Sequence, residues 1–132
     1  MTDVVPFLAY EDVAAAADWL VRAFGFEEIE RFEEDGAVGH VTLRAGDGLI
    51  FLGSPPGYAS PRRLCEQSDA VARVYETRYV VDGVFVRVAD LDAHAAAAQA
   101  AGAHLLTEPE DSPRGRLYRV EDPEGHRWMF EG

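Results

Sequence analysis

Histidines, arginines and a single cysteine carry most of the chemistry open to this chain. His40 stands in the run His40-Val41-Thr42-Leu43-Arg44, which alternates as a half-buried strand does. An imidazole placed there can serve as a general base or as a hydrogen-bond donor to a ligand. It can equally be a hairpin histidine touching water at the strand's mouth. His126 follows a turn glycine and reads as structural, while His94 and His104, in and just after a helical stretch, read as surface or packing residues. Cys65 sits in a connecting segment with no histidine near it in sequence. That is a poor setting for a nucleophile, because a reactive thiolate needs a base or cation beside it. Arg87, Arg119 and Arg127 fall in strand-like runs of a chain whose formal net charge is −12. On buried strand faces such guanidinium groups need either acid partners, with Glu121 and Glu131 at hand, or an anionic or carbonyl-rich ligand.

The elements that position these residues are written twice. Val4 to Tyr10 has strand character and Asp12 is a suitable N-cap. Val13, Ala16, Ala17, Leu20, Val21 and Phe24 then recur at helical spacing, and Gly25 closes the helix. Trp19 falls off that stripe and is expected over a loop or at a subunit contact. Strands follow at Phe26 to Glu34, Val38 to Arg44 and Leu49 to Gly53, with Asp35-Gly36 as a hairpin signal. The same order returns with Gly83 to Val88, the N-cap Asp90, a helix over Leu91 to Ala101 stopped at Gly102, and strands at Ala103 to Glu110, Gly115 to Glu121 and His126 to Phe130. Gly25 and Gly102 stand 77 residues apart, as do Gly48 and Gly125, and Asp12 and Asp90 are separated by 78. Punctuation in such constant register marks an internal duplication. The reading is one domain over 1–132, with a first βαβββ module at 4–53 and a second at 81–132. Between them, 54–80 is either a connector with a short helix over Arg62 to Tyr75 or a flap over a binding site.

Composition narrows the function by exclusion. The chain has 24 acidic residues against 12 basic ones, all arginine, so its field repels nucleic acid and anionic lipid. One cysteine excludes an internal disulfide and fits a reducing compartment. No basic-then-apolar leader and no apolar run of about 20 residues is present, so a cytoplasmic location without membrane contact is expected.

Paired modules, each with an Asp-capped helix and a closing Gly-turn hairpin, resemble the vicinal oxygen chelate superfamily. The segments Asp90-Leu91-Asp92-Ala93-His94 and Glu121-Asp122-Pro123-Glu124-Gly125-His126-Arg127-Trp128 are most similar to its bleomycin-resistance-like branch. The resemblance implies an α+β fold in which two tandem βαβββ modules form curved mixed sheets around a concave cavity. It also implies a homodimer. Metal-dependent members place one ligand on the first and one on the last strand of each module. Those positions correspond here to Val5, Phe51, Gly83 and Met129, none of which can hold a hard or borderline divalent ion. His40 and Glu131 could supply two donors from other positions, without a third. No metal and no other cofactor is therefore expected.

If the family's ligand positions face the cavity, strand alternation brings further residues with them. The expected ligand-binding set is Phe7, His40, Thr42, Phe51, Phe85, Arg87, Arg119, Arg127 and Met129, with Arg44, Leu117, Glu121 and Glu131 on the same faces. Leu8, Tyr10, Val41, Leu43, Ile50, Leu52, Val84, Val86, Val88, Tyr118, Val120, Trp128 and Phe130 then form the helix-packing faces. The leading function is metal-independent binding of a small molecule. The alternatives are a metal-independent enzyme with His40 as its catalytic candidate, and a metal-dependent lyase, isomerase or dioxygenase with its ligands elsewhere.

Overall fold

A computed structural model describes residues 3–132. Eight strands and four helices among them form two compact units, which meet in sequence between Ala59 and Ser60.

The first unit holds β1 (Phe7–Ala9), α1 (Val13–Phe24), β2 (Glu27–Glu34), β3 (Ala37–Ala45) and β4 (Gly48–Gly53). Its sheet runs β1-β4-β3-β2, with β1 parallel to β4 and the other pairs antiparallel. β1 is shorter than the apolar run Val4 to Tyr10 suggested. Pro6 has no N–H to donate, and only its carbonyl joins the ladder, accepting from Phe51 N at 2.9 Å. Asp12 caps α1 by accepting from Ala15 N at 3.0 Å. Gly25 ends it at φ 75°, a left-handed conformation that a side chain disfavours. α1 buries a wider face than its stripe implied. Trp19, expected over a loop or a subunit contact, is only 7% exposed and lies edge-on to Phe24 at 5.1 Å within the unit's own core. Tyr10, Val41, Leu43, Ile50 and Leu52 supply the sheet's side of that core.

The second unit opens with α2 (Pro61–Gln67) and α3 (Asp69–Val74), then β5 (Val84–Arg87), α4 (Leu91–Ala100), β6 (His104–Ser112), β7 (Gly115–Glu121) and β8 (Arg127–Glu131). The order β5-β8-β7-β6 repeats the first sheet's topology, again with one parallel pair. The single helix expected over Arg62 to Tyr75 is two helices. Ser68 takes an extended conformation that closes α2, and its hydroxyl caps α3 by accepting from Val71 N at 3.3 Å. Asp90 caps α4 as Asp12 caps α1, accepting from Ala93 N at 3.1 Å.

Tyr118, Val120, Trp128 and Phe130 are fully buried on the helix side of the second sheet. Each large apolar side chain removed from water this way stabilises by roughly 1.5–3 kcal/mol. Val84 and Val86, expected on that side too, are only half buried. His94 is a packing residue. Its ring lies 4.2 Å from Phe130, and its Nδ1 is 2.7 Å from the Tyr118 hydroxyl. Burial pushes the Tyr118 hydroxyl above its ordinary pKa.

The β7–β8 turn is organised by Asp122, which is 2% exposed. One carboxylate oxygen accepts from the amides of Glu124 and His126, at 3.1 and 3.0 Å, and the other accepts from the Trp128 indole at 3.1 Å. Gly125 leaves room for α2, since a Cβ there would stand 2.9 Å from the Arg62 nitrogen.

Candidate functional site

Strand register decides which residues share a face. In the first unit Phe7, Phe51, Thr42 and Glu30 lie in one row across the sheet, and Ala9, Gly53, His40 and Phe32 in the next. Both rows face away from the core that α1 packs on, because Val41, Leu43, Ile50 and Leu52 take the opposite side. His40 Nε2 is 2.9 Å from Thr42 Oγ1, and that hydroxyl donates to Glu30 Oε1 at 3.3 Å. A hydroxyl has one proton, so a Thr42 that donates to Glu30 accepts from the His40 Nε2–H. In that tautomer Nδ1 is the ring's acceptor. Aromatic rings wall this chain. Phe51 meets His40 edge-on at 5.3 Å, and Phe32 lies tilted at 5.8 Å. The ring of Phe7 lies over Gly53, where a Cβ would come within 2.6 Å of it. Phe7 and Phe32 are 56% and 57% exposed, a large apolar area left in water beside a polar chain. Glu30 and Phe32 were not among the expected residues. The acidic alternation of Glu27 to Glu34 hid them, since its inward set reads only once a partner strand fixes the register.

In the second unit Phe85, Met129, Arg119 and Thr107 form one row, and Arg87, Glu131, Leu117 and Glu110 another. The expected residues thus share a face, but the arginines are engaged to different degrees. Arg127 is expended on the protein. Its side chain is 2% exposed, and its Nε donates to Glu121 at 3.0 Å. Its terminal nitrogens donate to the carbonyls of Tyr75, Thr77 and Tyr79 at 2.6–2.7 Å, while the guanidinium lies over the Tyr75 ring. This residue, expected to face a ligand, instead pins the segment after α3 onto the sheet. Arg119 donates to Glu110 at 3.1 Å and stacks on Tyr79, leaving its buried Nε without a partner. Arg87 reaches Glu131 at 3.3 Å, and with Arg114 it covers the Phe85 ring at 5.3 and 5.4 Å.

The second unit also has a pocket of about 340 Å³ beside the β7–β8 turn. Its walls include Arg62, Cys65, Tyr75, His104 and Glu121, and the His104 Nδ1 is 3.0 Å from the Glu121 carboxylate. His104 faces Glu121 directly across the strand pair, a placement that register alone reveals.

The donor set does not fit a metal at the family's positions. Phe51 and Met129 offer a ring and a thioether, and Val5 an alkyl group. At Gly83 a side chain has no room, because a Cβ would collide with Val80 and stand 2.5 Å from the Arg127 carbonyl oxygen. Among the described residues no three His, Cys, Asp or Glu side chains come together as a ligand group.

Comparison with known proteins places these features. The profile of the glyoxalase/bleomycin resistance protein/dioxygenase superfamily matches residues 4–130. An uncharacterised protein of Mycobacterium bovis is 31% identical over 128 residues, a match spanning 95% of this chain and 79% of that protein. The crystal structure of TioX from Micromonospora sp. ML1 is similar at 32% identity and a TM-score of 0.71, covering 98% of this chain and 97% of its own. The bleomycin-binding protein of bleomycin-producing Streptomyces verticillus, solved with copper(II)-bleomycin, shares the fold at 23% identity and a TM-score of 0.62, covering 100% and 96%.

Proposed function

The chain belongs to the glyoxalase/bleomycin resistance protein/dioxygenase superfamily, and from that premise we propose that it binds a small, partly aromatic molecule without using a metal. The observation that carries this reading is the aromatic wall of Phe7, Phe32 and Phe51 around the His40–Thr42–Glu30 chain. Exposed rings on a sheet face stack on a planar ligand, and the imidazole and carboxylate that Thr42 holds fix its orientation by hydrogen bonds. The bleomycin complex of the Streptomyces verticillus protein supports small-molecule capture on this fold. The absence of donors at Val5, Phe51, Gly83 and Met129 supports capture without metal. On the second unit's own sheet face, Arg119 and Met129 share a row and are separate candidate contacts. The reading includes a homodimer and a cytoplasmic location. For the described residues, no helix is long and apolar enough to cross a membrane.

A second reading has one specific observation in its favour. Thr42 Oγ1 lies 2.9 Å from His40 Nε2 and fixes the ring, and the tautomer that donates there presents Nδ1 as an acceptor, as a general base must.

Untagged protein from the source cell, measured by native mass spectrometry and elemental analysis, tests both. Binding predicts a co-purifying organic molecule recovered unchanged, with sub-stoichiometric Zn, Mn, Fe, Ni and Co. Near-stoichiometric metal that survives dialysis would overturn the metal-free reading. Conversion of the recovered molecule, lost in His40→Ala, would favour the enzyme.

A further inference from the structure

Resting on the small-molecule reading above, we infer that the first unit's site selects a planar aromatic cation, with Glu30 as its counter-charge. Residues 1–59 carry eleven carboxylates against three arginines, so two-thirds of the net charge of −12 sits on this unit. None of its arginines is a member of the two ligand-facing rows. Arg22 lies on α1. Arg31 stands opposite the core residue Val41 and is held by Asp18 and Glu28 at 2.7 and 2.6 Å. Arg44 shares the face of Thr42 one row further on, where Glu27 pairs with it at 3.7 Å and offsets its charge. Glu30 is exposed, and among the described residues its carboxylate's one hydrogen bond comes from the Thr42 hydroxyl. A carboxylate hydrogen-bonded to a neutral hydroxyl, and among the described residues ion-paired to no arginine, therefore lies in the row of Phe7 and Phe51, next to the row that holds Phe32.

Chemistry sets the ligand's sign. The faces of phenylalanine rings present negative potential and attract cations, and an exposed carboxylate adds to that attraction. An anionic ligand would meet repulsion from Glu30 and from the field of the unit. A neutral ligand would gain stacking alone. A planar cation gains stacking, cation–π contact and an N–H donor for Glu30 or for His40 Nδ1. With the pair near solvent, the charge contribution amounts to about tenfold in affinity at low salt and shrinks as salt is added.

Three tricyclic probes of one shape test this by fluorescence titration: 9-aminoacridine as the cation, acridine as the neutral form and acridine-9-carboxylate as the anion. The expected order at neutral pH is cation, neutral, anion, with about tenfold between the first two. Glu30→Gln should erase the cation's advantage over acridine. Phe32→Ala, and Phe32→Leu as a milder replacement, should weaken all three. Equal or tighter binding of the carboxylate, or a cation preference that survives Glu30→Gln, would overturn the assignment of charge while leaving small-molecule binding intact. Binding of all three probes that is indifferent to Phe7→Ala and Phe32→Ala would overturn the site itself.

Discussion

Replacing Arg127 by methionine removes the charge and keeps most of the volume, so it separates a structural arginine from one that receives ligand. The side chain is 2% exposed and makes four hydrogen bonds, three to main-chain carbonyls at 2.6–2.7 Å and one to Glu121 at 3.0 Å. Bonds involving a charged group are worth about 1.5–3 kcal/mol each, but bonds that share one side chain do not add. Removing one member of a buried ion pair costs about 3–5 kcal/mol, because the partner stays behind uncompensated. Glu121 is that partner, at 15% exposure, and it also holds His104. The expected loss is therefore about 4 kcal/mol, a large part of the 5–15 kcal/mol that holds a typical domain folded. Urea unfolding measures it, and hydrogen exchange should show residues 75–79 released before the sheet. Arg127→Lys should recover only part, since an ammonium cannot reproduce the planar fork that spans Glu121 and three carbonyls. A methionine variant within about 1 kcal/mol of the parent, with unchanged exchange at residues 75–79, would refute this account and return Arg127 to the ligand.

Two further outcomes concern the second unit. Gly83→Ala should destabilise by about 2 kcal/mol or more in thermal or urea unfolding, because the new methyl group meets Val80 and the Arg127 carbonyl. A neutral effect would mean that β5 can shift, reopening the family's ligand position. Asp122→Ala should cost roughly 3 kcal/mol, since it strips two turn amides and the buried Trp128 indole of their acceptor. Intrinsic fluorescence should report a more mobile Trp128, and a loss below about 1 kcal/mol would contradict the role given to this carboxylate.

The sequence by itself determined the elements and their duplication. Asp12 and Asp90 start the two long helices, and Gly25 and Gly102 lie at left-handed φ where they end. Caps and turn glycines act over a few residues, so their consequences are local and can be read from one chain. Alternation likewise separated the two faces of β3, β4, β7 and β8, because a period of two needs no partner strand. The lack of ligating side chains at Val5, Phe51, Gly83 and Met129 was also legible from residue type. What Trp19 packs on, where α2 gives way to α3, and how each arginine is used were decided by tertiary structure. A guanidinium on a strand face reads the same whether it meets a ligand or four groups of its own protein. Arg127 was settled by the carbonyls of Tyr75, Thr77 and Tyr79, some 50 residues earlier in the chain. Glu30 joined His40 only through the register of β2 on β3, which shifts between Glu28 and Glu30. Contacts of that separation depend on chain closure and packing, and no local pattern encodes them.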